Sequence, residues 1–220
     1  MVAADYAEPT TRYDHAVLGD AIEWGALRLR HASGREVLLR LPVDRVFEDL
    51  APRLVPLASG EVAAMVVESD LGRGARLALY GSGGLIAAAP FIGQRHRWLA
   101  PVGAGDLDGD GRVELAYVDR PHLAKILRIW RHVPGRAALE EVAAAPGFTN
   151  HRIGRDRIEG GLRDCGAGPE MIVVRADWSR IEAARLVGGR IEARDLGPYS
   201  ERDMAAALQC RPGRAAAPRP

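Results

Sequence analysis

The sequence predicts an all-β protein made of repeats, and three observations carry that prediction. Glycine-containing turns recur at a spacing of about 50 residues: "ASGR" at 32–35, "GSGG" at 81–84, "VPGR" at 133–136 and "VGGR" at 187–190. Short apolar runs of strand length flank every one of them, as in "GALRLRH" and "EVLLRLP" around the first. The three phenylalanines, Phe47, Phe91 and Phe148, each follow the second strand of such a hairpin. Phe47 and Phe148 both lie 13 residues past a turn glycine, Gly34 and Gly135.

Glycine suits these turns because tight hairpins require positive φ, which costs a residue with a Cβ. Behind the phenylalanines come "PRLVPLASGE", "HRWLAPVGAGD" and "HRIGRDRIEGG", then the apolar runs "VAAMVVES", "VELAYV" and "EMIVVRA". One unit therefore reads as strand, loop, strand, turn, strand, hairpin, strand. Four strands in about 50 residues make one propeller blade, so the architecture expected is a small β-propeller of about four blades, each a four-stranded antiparallel sheet. A plain antiparallel sandwich or another all-β barrel is the alternative. The first unit is shortened, and Tyr13 with "DHAVLGD" reads as a degenerate lead-in to it. Residues 1–12 are set apart as an N-terminal extension and 13–199 form the repeat domain. Ser200 and Asp203 make a capping pattern before a short apolar run, which predicts one C-terminal helix within 200–210. The Pro- and Arg-rich stretch 211–220 is expected to be disordered.

Composition narrows the function classes. The 220 residues hold 47% hydrophobic and 27% charged residues, ordinary values for a globular protein. A formal net charge of +1 leaves no global basic field for nucleic acid. Lys125 is the only lysine, so the arginine excess reads as base composition and not as phosphate recognition. No stretch approaches the roughly 20 apolar residues of a membrane span. The N-terminus lacks the charged start and apolar core of a signal peptide.

The chemistry concentrates in "AGDLDGDGRVELAYVDRP", residues 104–121. Asp106, Asp108 and Asp110 occupy alternate positions, Gly109 and Gly111 let the backbone fold so that they converge, Arg112 offers its main-chain carbonyl, and Glu114 follows. Hard oxygen donors at this spacing suit Ca²⁺, which takes about 6–8 oxygens. Mg²⁺ demands tighter geometry, and Zn²⁺ would want histidine or cysteine. An EF-hand needs a bidentate glutamate at the twelfth position between two helices; here Tyr117 stands there and the flanks read as a loop and a strand. The remaining alternative is an acidic surface turn without metal.

"DLDGDGRVELAYVD" resembles the calcium loop of FG-GAP/VCBS repeats, the units of the integrin alpha-type β-propeller. The resemblance implies Asp106, Asp108, Asp110, the Arg112 carbonyl and Glu114 as ligands of one Ca²⁺. It also implies a non-catalytic binding or scaffold module, periplasmic or secreted, with a protein or carbohydrate partner. The "FG-GAP" string itself is missing, though "FIGQ" at 91–94 and "PVGAGD" at 101–106 echo its pieces. The equivalent loop of the last unit keeps only Asp164 and Glu170, so no metal is expected at 161–171. In the second unit Glu61 stands alone.

Other chemistry is sparse. No G-x-S-x-G elbow and no H-E-x-x-H occur, and "GSGG" precedes a strand-like run, not a helix that would hold phosphate. Cys165 has no histidine signature beside it. Paired with Cys210 it would tie the C-terminal segment to the body in an oxidising compartment, and that pairing is expected. His15, His96 and His151 recur just ahead of apolar strands, positioned either to bond a neighbouring blade or to converge on a ligand. Trp24, Trp98, Trp130 and Trp178 read as packing residues. A hydrolase with an active site built from propeller loops is the alternative function. It predicts carboxylates and histidines clustered away from the acidic loop.

Overall fold

The computed structural model describes residues 1–211. The fold is all-β with one short helix, as expected. Three sheets hold the strands. The first contains β1 (Ala3–Thr10), β2 (Glu23–Arg30), β3 (Glu36–Arg40), β4 (Arg45–Phe47), β5 (Arg53–Pro56), β6 (Val62–Asp70), β7 (Gly74–Gly81) and β8 (Gly84–Ala88). The second contains β9 (Leu99–Gly105), β10 (Glu114–Asp119), β11 (Ile126–Arg131) and β12 (Glu140–Pro146). The third contains β13 (Phe148–Thr149), β14 (Gly161–Asp164), β15 (Pro169–Arg175), β16 (Arg180–Val187) and β17 (Arg190–Pro198).

The repeat is visible in the pairing. β5–β8, β9–β12 and β14–β17 are each a meander of four strands in chain order. Three of the four glycine turns fall between the last two strands of a meander, and the first, at 32–35, joins β2 to β3. In the last, Val187 pairs with Arg190 across Gly188 and Gly189, both at positive φ, the geometry of a two-residue hairpin. The phenylalanine landmarks repeat too. Phe47 in β4 pairs with Glu68 of β6 beside β5, and Phe148 in β13 pairs with Arg175 of β15 beside β14.

The sheets are not four separate four-stranded blades. β4 bonds β2 through Trp24↔Phe47 on one edge and β6 on the other, so the first two repeats share one eight-stranded sheet. β13 adds a fifth strand to the third sheet in the same way. Residues 3–10, set apart as an extension, form β1, paired with β2 from Ala3↔Arg30 to Thr10↔Glu23. Pairing and packing explain why: Tyr6 stacks on Phe47 with ring centroids 5.4 Å apart. Of the expected tail, only Arg211 lies within the described residues.

Two compact units divide the chain. One comprises 1–99, 131–140 and 153–157 and holds the first sheet. The other comprises, among the described residues, 100–130, 141–152 and 158–211 and holds most of the second sheet and all of the third. The first has a core of Leu27, Leu29, Phe47, Ala64, Val66 and Tyr80. In the other unit, Val118, Leu127 and Ile129 of the second sheet meet Met171, Val173 and Leu186 of the third. Helix α1 (Glu201–Leu208) is capped by Ser200, whose hydroxyl accepts the Asp203 N–H at 3.0 Å. It buries Met204 and Ala207 against Ile172, Val174 and Ile181. Cys165 and Cys210 form a disulfide just past its end, with Cα atoms 5.6 Å apart.

Of the tryptophans, Trp98 and Trp130 are buried. The Trp130 indole donates to Tyr117 Oη at 3.1 Å. Trp24 packs on Tyr6 and Trp178 on Tyr199.

Candidate functional site

The acidic loop joins β9 to β10, neighbouring strands of one meander. Its backbone turns on Gly109 and Gly111, at φ +81° and +82°, where a side chain would be strained. That path aims main-chain N–H groups at the carboxylates. Asp106 Oδ1 accepts from Gly109 at 2.8 Å and Asp110 at 3.1 Å, and Oδ2 accepts from Gly111 at 2.9 Å. Asp110 Oδ1 accepts the Arg112 N–H at 2.9 Å, and Glu114 Oε2 accepts the Leu107 N–H at 2.9 Å. Such a nest of backbone dipoles offsets part of the negative charge.

The loop brings three of the expected ligands together. One carboxylate oxygen from each of Asp106, Asp108 and Glu114 lies within 4.8 Å of the others. Metal–oxygen bonds of about 2.3–2.6 Å allow two ligands of one Ca²⁺ to stand roughly that far apart, so the donor set fits the ion. Glu114 is fully buried while both aspartates are exposed, so the trio spans from core to solvent. Asp110 lies in the loop but outside the trio, turned toward Arg112, whose Nε is 3.9 Å from its Oδ2.

The last repeat has the same loop in altered form, between β14 and β15. Asp164 Oδ1 accepts from Gly166 at 2.8 Å and Gly168 at 3.1 Å, much as Asp106 does. Glu170 instead meets two guanidiniums, Arg163 at 2.6 Å and Arg194 at 2.9 Å. Burial alone would raise its carboxyl pKa, but these two cations more than offset that and hold it below the ordinary range. Arg163 also donates to the Ala207 carbonyl of α1 at 2.6 Å.

A second polar cluster lies in the first compact unit, where the lead-in segments of three repeats meet. The His15 and His96 rings stack with centroids 5.0 Å apart. Each also bonds a carboxylate: His15 Nδ1 is 2.5 Å from Glu48 Oε1, and His96 Nε2 is 2.9 Å from Asp14 Oδ1. Glu48 is fully buried, its other oxygen accepting the Ser69 hydroxyl and its main-chain carbonyl the Trp98 indole N–H at 2.9 Å. Asp14 is held at about 2, chiefly by its hydrogen bond from Arg95 and then by that from His96. Glu23, also buried, is pushed up to about 9 by desolvation and then by the charges of Glu48, Asp20 and Asp49. Two of the three flagged histidines thus bond neighbours and also converge. His151 lies in the other unit, its Nδ1 2.9 Å from His122 Nε2. Sequence reasoning missed Glu48. Its place directly after Phe47 gives no distinguishing signal, because Asp44, Arg45 and Asp49 make the same short stretch charged.

No family model, curated protein or solved structure matches the chain. Among the described residues, no helix is long and apolar enough to cross a membrane.

Proposed function

We propose that the chain is a calcium-binding repeat protein of the FG-GAP/VCBS type. Its meanders would be arranged as a small β-propeller acting as a binding or scaffold module outside the cytoplasm. The observation that carries this reading is the convergence of Asp106, Asp108 and Glu114 in a loop joining neighbouring strands of one repeat. Asp106, Asp108 and Glu114 would hold the ion, with Asp110 and the Arg112 carbonyl completing the shell that the resemblance implies. Bound there, Ca²⁺ cancels the charge that the backbone nest offsets only in part, and it ties an exposed loop to the buried Glu114. The Cys165–Cys210 disulfide supports an oxidising compartment. A protein or carbohydrate partner fits such a module.

Thermal unfolding in chelator, in millimolar Ca²⁺ and in millimolar Mg²⁺ tests the reading. Ca²⁺ should raise the melting temperature more than Mg²⁺ does, and Asp108→Ala should remove the response. Equal melting of the wild type in chelator and in Ca²⁺ would overturn it.

A further inference from the structure

We propose that His15 and Glu48 form a general-base pair that activates water toward a carboxylic ester. The proposal goes beyond the calcium reading and does not depend on it, because every residue involved lies outside the acidic loop.

Glu48 is a fully buried carboxyl group with two anchors. The Ser69 hydroxyl donates to one oxygen and His15 Nδ1 lies 2.5 Å from the other, while the Trp98 indole pins the main-chain carbonyl. The proposal assigns the His15 proton to Nδ1, facing Glu48, so that Nε2 carries the lone pair. A base oriented by a buried carboxylate is the arrangement that hydrolytic sites share on unrelated folds. The His15 side chain keeps 16% of its surface exposed, against none for Glu48, so the His15 side chain reaches solvent and Glu48 does not.

The surroundings are held equally firmly. His96 has φ +56°, in the left-handed region, and its N–H donates to the hydroxyl of buried Tyr13 at 3.0 Å. The Tyr13 ring lies 5.8 Å from the His15 ring and 5.3 Å from that of His96. Asp14 Oδ1 lies 2.9 Å from His96 Nε2 and accepts from the Arg95 guanidinium at 2.7 Å.

Charge selects the substrate class. The carboxylates of Asp14 and Glu48 are matched by two guanidiniums, Arg95 on Asp14 and Arg97 on the His96 carbonyl, so no excess positive charge is left for a phosphate ester and a neutral acyl compound fits. Ser69 is buried with its proton on Glu48, so the nucleophile is water. Nε2 of His15 takes a proton from water as the oxygen adds to the carbonyl carbon. The tetrahedral intermediate then expels the alcohol oxygen by breaking the acyl C–O bond. The Nε2 proton passes to that oxygen, leaving acid, alcohol and neutral His15.

The test is hydrolysis of p-nitrophenyl acetate by the full chain. Wild type should exceed both the buffer rate and that of equimolar free imidazole. His15→Gln, with unchanged melting, should lose about 100-fold of the catalysed rate, the lower range for a positioned general base. Glu48→Gln, a change in a positioning residue, should lower kcat with KM unchanged. A wild-type rate no higher than that of folded His15→Gln overturns the proposal. Should His15→Gln not fold, imidazole nitrogen spectra of the wild type decide. His15 protonated on Nδ1 supports the proposal, and on Nε2 overturns it.

Discussion

The loops at 106–113 and 165–168 occupy the same place in successive repeats, and they differ in what holds them. Both follow an aspartate that collects glycine N–H groups, Asp106 in one and Asp164 in the other. Both precede a buried glutamate at the start of the second strand, Glu114 and Glu170. In the first, three carboxylates converge in a geometry suited to a divalent cation. In the last, guanidiniums supply the positive charge and a disulfide supplies the clamp. The difference teaches that the shared requirement is a neutralised glutamate and a closed loop, and that several chemistries satisfy it.

The largest expected effect separates the two clamps. Cys165 and Cys210 are 45 residues apart, and losing a loop closure of that size costs about 4 kcal/mol in the entropic account. Cys165→Ser with Cys210→Ser should therefore lower the melting temperature by many degrees and leave any calcium response intact. Equal melting with and without reductant in the wild type would show that the clamp carries no stability.

Arg163→Met comes next. The Arg163–Glu170 pair is buried on both sides, and truncating one partner of such a pair costs about 3–5 kcal/mol. Arg194 remains on Glu170, so a loss of about 2–3 kcal/mol is expected by denaturant unfolding. A loss no larger than for an exposed pair such as Arg30–Asp5 would show that Arg194 alone suffices.

Asp108→Ala probes the other loop. At a hundredfold excess over Kd, calcium should stabilise wild type by about 2.7 kcal/mol and the variant by none. Its response to reductant should match that of wild type. If Asp108→Ala keeps the calcium response, the ion binds elsewhere and the comparison of the two loops fails.

The smallest effect concerns pH. Glu170 has a depressed folded pKa, so it contributes stability above the unfolded carboxyl range, near about 4.3, that is lost as pH falls through the lower folded value. The stability difference between wild type and Glu170→Gln should shrink as pH falls from 5 to 3. A difference that holds constant over this window would mean that the guanidiniums do not favour the ionised form.

Much of this was legible in advance because it is local. Four turns were located by glycine chemistry; three fall between the last two strands of a meander and the first joins β2 to β3. The acidic spacing identified a loop in which Asp106, Asp108 and Glu114 do converge. Asp110 departs from that pattern because its carboxylate turns to the Arg112 N–H only two residues on. β1 was missed because "AADYAEPT" alternates weakly, and only pairing with β2 makes it a strand.

The sequence by itself determined the all-β class, the repeat length, the helix cap and the acidic loop, since alternation, turn glycines and capping act over a few residues. Tertiary structure alone decided which distant residues meet. It joined two repeats through β4, whose few residues bond strands on both edges. It set Glu48 against His15 and His96 against Asp14, across separations of 33 and 82 residues. Such meetings depend on strand register and on how successive lead-in segments stack, and no short stretch of sequence encodes either.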